Sequence, residues 1–106
     1  MWLTDNAVPN DDSVVIKKDG AVYGPFLPLG KGKYRFTIEG SDLDGTLIGI
    51  HSYEKPEGII GTEVERQGGH VIIDADVNEN VKDIEIRVVN IEDKDVVFKD
   101  TRIERR

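Results

Sequence analysis

Residues 23–39, with the sequence YGPFLPLGKGKYRFTIE, decide the fold class of this chain. The first half contains a Gly-Pro pair, a second proline and two further glycines, so no helix can run through it. The second half alternates strictly: Tyr34, Phe36 and Ile38 share one side, and the polar residues between them share the other. This period of two predicts a half-buried β-strand that follows a turn, with the two aromatic side chains in the core.

The rest of the chain repeats the same kind of signal, with strand-like segments at spacings of roughly ten residues. These segments are 13–18, 21–26, 46–53, 59–66, 70–77, 82–90 and 96–104. The short segment 21–26 is expected to break at Gly24-Pro25, and the last segment slips phase near Asp100, which predicts a bulge or a bend. The pattern indicates an all-β domain of about eight strands without substantial helix. A two-sheet antiparallel sandwich is favoured over a barrel of five or six strands, because almost every strand has one apolar face.

Length and composition predict one domain and exclude several classes of partner. The chain has 106 residues, of which 1–12 read as an N-terminal arm and 13–106 as a single domain. Its 14 Lys and Arg stand against 21 Asp and Glu, for a formal net charge of −7. This balance disfavours nucleic acid and anionic membrane surfaces as partners. A homo-oligomer stays open.

The cysteine content and the N-terminal sequence bear on the compartment. The chain contains no cysteine, which excludes disulfides and thiol chemistry and fits a reducing compartment. No basic stretch followed by an apolar segment opens the sequence, so no signal peptide is predicted. Cytoplasmic residence is the default expectation, and a location in a virion or within a larger parent protein stays open.

The candidate ligand-binding residues are polar and aromatic side chains outside the predicted core. Trp2 lies in the arm, where its indole ring could stack on a sugar or cover a sheet edge. His51 and Tyr53 are predicted to share the polar side of one strand, and Glu54 in the next turn could complete a shallow groove with them. The alternative for this group is a purely structural role, as an ordinary half-exposed strand face that binds no ligand.

Two arginines complete the set of candidates. Arg35 and Arg87 lie on outward phases of their strands, near Glu39 and Glu85 respectively. If the two strands are neighbours, these residues form cross-strand ion pairs of about 0.2–1 kcal/mol each. The guanidinium groups could instead bind sugar hydroxyls.

Metal binding and catalysis receive little support from the sequence. Asp42 and Asp44, two residues apart and followed by glycine, resemble the start of a calcium loop, so a structural calcium ion is a minor alternative to a solvated turn. His51 and His70 have no spacing that would join them in a zinc site. No serine lies in a nucleophile elbow, and neither a cofactor nor an enzymatic activity is expected.

Several short patterns resemble those of a known family of modules. They are Gly24-Pro25-Phe26, Gly32-Lys33-Tyr34, Glu85-Ile86-Arg87-Val88 and the closing strand from Val96 to Arg105. In this order they resemble the jelly-roll, galactose-binding-like sandwiches that accompany bacterial glycosyltransferases and other carbohydrate-active proteins. The resemblance implies an eight-stranded jelly roll and a non-catalytic accessory role. Such a module would bind glycan weakly or tether a carbohydrate-active partner. The alternative is a structural or assembly module, such as a viral decoration or tail-associated domain, that acts through protein contacts.

Overall fold

Two antiparallel sheets make up the structure, a computed structural model that describes residues 2–106. The ten strands are β1 (Trp2–Leu3), β2 (Ala7–Asn10), β3 (Ser13–Ile16), β4 (Ala21–Leu29), β5 (Gly32–Ser41), β6 (Thr46–His51), β7 (Ile59–Arg66), β8 (His70–Val77), β9 (Val81–Asn90) and β10 (Val96–Arg105). The four-stranded sheet has the order β1-β4-β9-β6, and the six-stranded sheet has the order β2-β3-β10-β5-β8-β7. The prediction of an all-β sandwich is confirmed.

The strand order is that of a jelly roll, in which the chain passes back and forth between the two sheets. From β3 to β6 each strand lies in the sheet opposite its predecessor, and the same holds from β8 to β10. Strands that are distant in sequence are therefore neighbours in one sheet, in the order β3, β10, β5 and β8. This arrangement is expected for a double Greek key. Strand β7 pairs with β8 at the edge of the six-stranded sheet.

The core lies between the two sheets and uses the predicted apolar phases. Phe36 and Ile38 are fully buried, and Tyr34 is nearly so. They face Ile84, Ile86 and other residues of β9 in the opposite sheet, within one continuous apolar cluster. The Tyr34 hydroxyl escapes desolvation because it donates to the Gly30 carbonyl oxygen, 2.7 Å away. The prediction that this strand supplies core aromatic residues is confirmed.

Strand β4 differs from the expectation that it would break at Gly24-Pro25. It runs on to Leu29, with register shifts relative to β9 between Pro25 and Leu27 and again before Leu29. A proline can stay in a sheet at a bulge or an edge, where its missing N–H breaks no ladder hydrogen bond. Both conditions hold here, because β1 pairs only with Val22 and Tyr23 and leaves the rest of β4 without a neighbour on that side. The bulge predicted near Asp100 in β10 is confirmed by the register shift between Phe98 and Asp100.

Residues 1–12, expected to form an arm, contribute two of the ten strands. Strand β1 pairs with β4, and β2 pairs with β3, so that each lies at the edge of a different sheet. The side-chain hydroxyl of Thr4 accepts a 2.8 Å hydrogen bond from the Ala21 backbone N–H and so holds the connection between β1 and β2 against the start of β4. Among residues 2–106 there is no helix with the length and apolarity needed to cross a bilayer.

Candidate functional site

The outer face of the four-stranded sheet brings several of the predicted binding residues together. In the register of this sheet Trp2 pairs with Tyr23, Tyr23 with Arg87, and Arg87 with Gly49, so their side-chain positions form one row across four strands. The neighbouring row contains Pro25, Glu85 and His51. With strands about 4.8 Å apart, the first row spans roughly 14 Å, the length of a disaccharide or more.

Arg87 lies at the centre of this face and is held on two sides. Its Nε donates to Glu85 Oε1 at 3.0 Å, and its Nη2 donates to the Tyr53 hydroxyl at 2.7 Å. The guanidinium carbon lies 6.0 Å from the centre of the Tyr23 ring, within cation–π range. The hydrogen bond that Arg87 donates to the Glu85 carboxylate and the negative charge of that carboxylate raise the pKa of Arg87 above its usual value. Arg87 stays charged, and its side chain is 42% exposed.

Glu85 is fully buried although it lies on the outward phase of β9. One carboxylate oxygen accepts from Arg87, and the other, Oε2, has no hydrogen-bond partner within the described structure. An unsatisfied buried acceptor costs about 1–3 kcal/mol, and such groups are rare in native proteins. Folding alone does not account for this carboxylate, because an apolar side chain would fill the same position at lower cost.

Tyr53 reaches the face from the loop after β6, not from the strand itself. The prediction that His51 and Tyr53 share one strand is wrong, because β6 ends at His51. The Asp83 carboxylate accepts hydrogen bonds from the Ser52 hydroxyl at 2.5 Å and from the backbone N–H groups of Tyr53 and Glu54 at 2.9 and 3.0 Å. These bonds turn the chain back over β9 and place the Tyr53 hydroxyl within hydrogen-bonding distance of the Arg87 guanidinium group.

The pKa of Asp83 reflects this anchoring role. The hydrogen bond from the Ser52 hydroxyl lowers the pKa of Asp83 below its usual value, and the backbone N–H groups of Glu54 and Tyr53 act in the same direction. The carboxylate therefore remains ionised and holds the loop down to acidic pH.

Phe26 joins the site through the bulge in β4. Its φ of 62° places it in the left-handed region, which is uncommon for a bulky aromatic residue and costs about 1–3 kcal/mol. The Phe26 ring lies 6.5 Å from that of Tyr53, with the two planes inclined by 35°. A strained backbone that turns an aromatic ring outward beside another ring is typical of a ligand site.

We call the surface formed by Trp2, Tyr23, Phe26, Tyr53 and Arg87 the aromatic face. Trp2 and Tyr53 are its most open members, at 58% and 63% exposed. A hollow of about 280 Å³ adjoins Arg87 and is lined by His51, Ser52, Tyr53, Pro56 and Arg87. Trp2, His51, Tyr53 and Arg87 were predicted as binding residues from the sequence, and the structure brings all four to this surface.

Two further predicted residues do not join the aromatic face. Arg35 lies in the other sheet, on its outer face, where it binds Asp74 through both Nε at 2.8 Å and Nη2 at 3.1 Å. That bond raises the pKa of Arg35 and lowers that of Asp74. Glu54 is exposed, and it does not line the hollow beside Arg87. The idea that the Arg35 and Arg87 strands are neighbours is wrong, because β5 and β9 belong to different sheets.

The two aspartates proposed for calcium lie in the turn before β6. Asp42 has a left-handed backbone conformation and lies 3.6 Å from the Lys94 ammonium group. Over residues 2–106, no group of three or more His, Cys, Asp or Glu side chains converges in a way that could hold a metal ion.

The outer face of the six-stranded sheet carries a wider hollow of about 490 Å³, which has a different character. The charged side chains around it bind one another: Arg102 pairs with Glu39 at 2.8 Å, and His70 pairs with Glu65. No Trp, Tyr or Phe side chain lines it. These mutual ion pairs account without a ligand for every charged side chain of the hollow except Lys99, so the aromatic face is the stronger candidate site.

Four residues of this region were not among the binding residues predicted from the sequence: Tyr23, Phe26, Asp83 and Glu85. The alternation of β9 places Glu85 on the same side as Arg87, which was a usable signal for this residue. Phe26 carried no such signal, because the direction of its side chain depends on the bulge.

No protein-family model, no curated protein and no solved structure matches the chain.

Proposed function

We propose that this protein is a non-catalytic glycan-binding module whose binding site is the aromatic face. The observation that carries the proposal is the arginine at the centre of exposed aromatic rings. Arg87 is oriented by Glu85 and Tyr53, and none of its hydrogen bonds within residues 2–106 uses Nη1. Sugars combine hydroxyl groups with apolar C–H faces, and they are bound by aromatic rings beside fixed polar groups.

The roles within the site follow from exposure and hydrogen bonding. The Tyr53 and Trp2 rings offer surfaces on which a sugar ring can stack, and the free Nη1 of Arg87 can donate to one of its hydroxyl groups. Glu85 is a positioning residue, because it is buried and acts through Arg87. Glycan binding is expected to be weak, since the volume of the hollow, about 280 Å³, lies just below the 300–1,000 Å³ usual for ligand pockets.

A titration of the isolated protein with a panel of neutral and charged oligosaccharides tests the proposal. Two-dimensional NMR spectra should show shifts at the backbone amides of β9 and of the loop that carries Tyr53, with a dissociation constant near the millimolar range. Tyr53→Ala should weaken binding at least tenfold, because it removes both the stacking surface and a hydrogen bond to Arg87.

Val64→Ala is the matched control. Val64 is also an exposed apolar residue, at 51%, but it lies on β7 in the other sheet. This variant should bind the same sugar with unchanged affinity. The proposal fails if no sugar shifts any amide at millimolar concentration, or if the shifted amides lie only on the six-stranded sheet.

A further inference from the structure

The outer face of the four-stranded sheet carries almost no net charge, although 33% of the residues of the chain are charged. Three neighbouring rows of paired residues make up the centre of this face. They are the row of Trp2, Tyr23, Arg87 and Gly49, the row of Pro25, Glu85 and His51, and the row of Ala21, Val89 and Leu47. Glu85 and Arg87 are the only Asp, Glu, Lys or Arg residues in these rows, and they pair with each other at 2.9 Å. A ligand on these rows therefore meets one ion pair whose charges cancel.

The outer face of the six-stranded sheet has the opposite character. In its register Glu104 pairs with Arg35, Arg35 with Asp74, and Asp74 with Thr62, so three of the four residues in this row are charged. The charged residues of the chain are thus concentrated on one outer face and are scarce on the other. The scarcity on the four-stranded sheet is a property of that face and does not follow from the composition of the chain.

The charges at the aromatic face give an acidic ligand no advantage. Arg87 already binds the buried Glu85 carboxylate, so its positive charge is compensated before any ligand arrives. Asp83, which stays ionised beneath the loop that carries Tyr53, adds a further negative charge nearby. Like charges placed together oppose binding, so an anionic sugar loses more at this site than it gains.

The two most open rings of the aromatic face lie too far apart for one sugar ring. Trp2 is on β1, whereas the Tyr53 hydroxyl accepts from Arg87 on β9, two strands away. Neighbouring strands are about 4.8 Å apart, so the backbone positions of Trp2 and Arg87 are separated by roughly 10 Å. Tyr53 reaches Arg87 from the far side, because its loop follows β6. A ligand that stacks on both rings must cross at least two strands, as a chain of sugars does.

Trp2 is held in place at its end of the face. It pairs with Tyr23, and the next residue, Leu3, pairs with Val22. Leu3 packs against the core cluster, so the alternation of β1 directs Trp2 outward. The backbone N–H of Thr4 donates to the Ala21 carbonyl oxygen at 3.1 Å and secures the end of the strand. A ring that is positioned before the ligand arrives lowers the entropy cost of binding.

We propose, on the basis of the glycan-binding function proposed above, that the ligand of the aromatic face is a neutral oligosaccharide chain. The chain lies across the strands and contacts Trp2 and Tyr53 with different sugar rings. The compensated charge of Arg87 specifies the neutral class, and the separation of the two aromatic rings specifies a chain. Once one ring of the chain is bound, the next binds at a high effective concentration, so the affinity rises with length until both surfaces are covered.

The dependence on length is measured on the unaltered protein by NMR titration. The probes are α-1,4-linked glucose and β-1,4-linked glucose, galactose, mannose and xylose, each from one to five rings. In the series that binds best, the affinity should rise by about tenfold or more between the single ring and the tetramer, and then level off. The tetramer should shift the backbone amides of β1 together with those of the loop that carries Tyr53.

Charged sugars and salt test the neutral class. The trimer of galacturonic acid should bind about fivefold more weakly than the best neutral trimer, and the trimer of glucosamine should bind no more tightly than the neutral one. Raising sodium chloride from about 50 mM to about 500 mM should change the affinity for the neutral tetramer by less than about twofold, because the ligand carries no charge to be screened.

Trp2→Ala tests the distant end of the site from the protein side. The affinity for the tetramer should fall by about fivefold or more, and the affinity for the single ring should fall by a smaller factor. Ile60→Ala is the matched control, because Ile60 is also 58% exposed but lies on β7, at the edge of the other sheet. This variant should keep the length dependence of the parent, and thermal unfolding verifies that both variants are folded.

Two results would overturn the neutral chain and leave the proposed function standing. One is a single sugar ring that binds as tightly as the tetramer of the same sugar. The other is a charged trimer that binds more tightly than every neutral trimer. If no sugar of either kind shifts any amide at millimolar concentration, the glycan-binding function itself fails, and the neutral chain fails with it.

Discussion

Removing the buried carboxylate of Glu85 should stabilise the protein, whereas removing its partner Arg87 should destabilise it. In Glu85→Met the side chain keeps its length and loses a charge that is fully buried and only half satisfied. The Arg87 group that remains is 42% exposed and can be hydrated. Replacing poorly satisfied buried ions with apolar side chains is often neutral or stabilising by 1–4 kcal/mol, and we expect an increase of about 1–2 kcal/mol here.

Substitution of Arg87 has the opposite effect on stability, because the charge that remains, on Glu85, is buried. Arg87→Met leaves the Glu85 carboxylate without the only donor that it has among residues 2–106. Breaking a buried pair from this side typically costs about 3–5 kcal/mol. In the double variant both charges are absent, and most of that loss should be recovered. Glu104→Met, at an exposed position on β10, is the control and should stay within about 0.5 kcal/mol of the parent.

Urea unfolding of the four variants, followed by far-ultraviolet circular dichroism, gives these free energies from the midpoints and slopes. The same proteins should be titrated with the sugar that the parent binds best. Glu85→Met should bind it about three- to tenfold more weakly, because Arg87 is no longer held in place; tenfold corresponds to 1.4 kcal/mol. A Glu85→Met protein less stable than the parent by more than about 1 kcal/mol would refute this account of the buried carboxylate. An Arg87→Met protein of parental stability would refute it as well.

Three further predictions concern the fold and the loop that carries Tyr53. Phe36→Ala should lower the free energy of unfolding by about 3–5 kcal/mol in the same urea assay, because it empties a fully buried position. Gly40→Ala should lower the free energy of unfolding by about 3 kcal/mol or more, since the added Cβ would lie 2.0 Å from a backbone oxygen of β10. In the control Gly30→Ala, the nearest atom to the added Cβ lies at 3.6 Å, and the loss should be less than about 1 kcal/mol. Because the pKa of Asp83 is lowered on folding, its contribution to stability is complete above the unfolded value of about 3.9 and is lost as the pH falls through the lower folded value. Over that acidic range the protection of the Tyr53 amide against hydrogen exchange, relative to an unstructured peptide at the same pH, should fall. Unchanged protection would contradict the anchoring role.

The strand pattern could be predicted from the sequence because it depends on local alternation. Tyr34, Phe36 and Ile38 face the core as their spacing requires, and the phase slip near Asp100 marks a real bulge. The pairing of strands could not be obtained in the same way. Arg35 and Arg87 look equivalent in sequence, yet their strands belong to different sheets, and only the order of strands decides which charges meet.

The binding residues were predictable where they follow a regular strand and were missed where the strand is irregular. The same alternation that places Arg87 outward also places Glu85 there, but periodicity does not reveal that Glu85 is buried. Phe26 follows a Gly-Pro pair that suggested the end of a strand. In the structure β4 continues, and the bulge turns this aromatic ring outward. Proline chemistry marks such a site as irregular, but whether the chain stops or bulges depends on tertiary packing.

The aromatic face is maintained at a cost in stability. The left-handed backbone at Phe26 costs about 1–3 kcal/mol, and the unsatisfied oxygen of Glu85 costs about as much again. A domain of this size has a total stability of only about 5–15 kcal/mol, so the two features consume a substantial part of it. A regular β4 and an apolar residue in place of Glu85 would remove both costs and leave the core unchanged. Features that a protein retains against its own stability are typical of functional sites. Here Glu85 binds Arg87, and the Phe26 ring lies beside Tyr53.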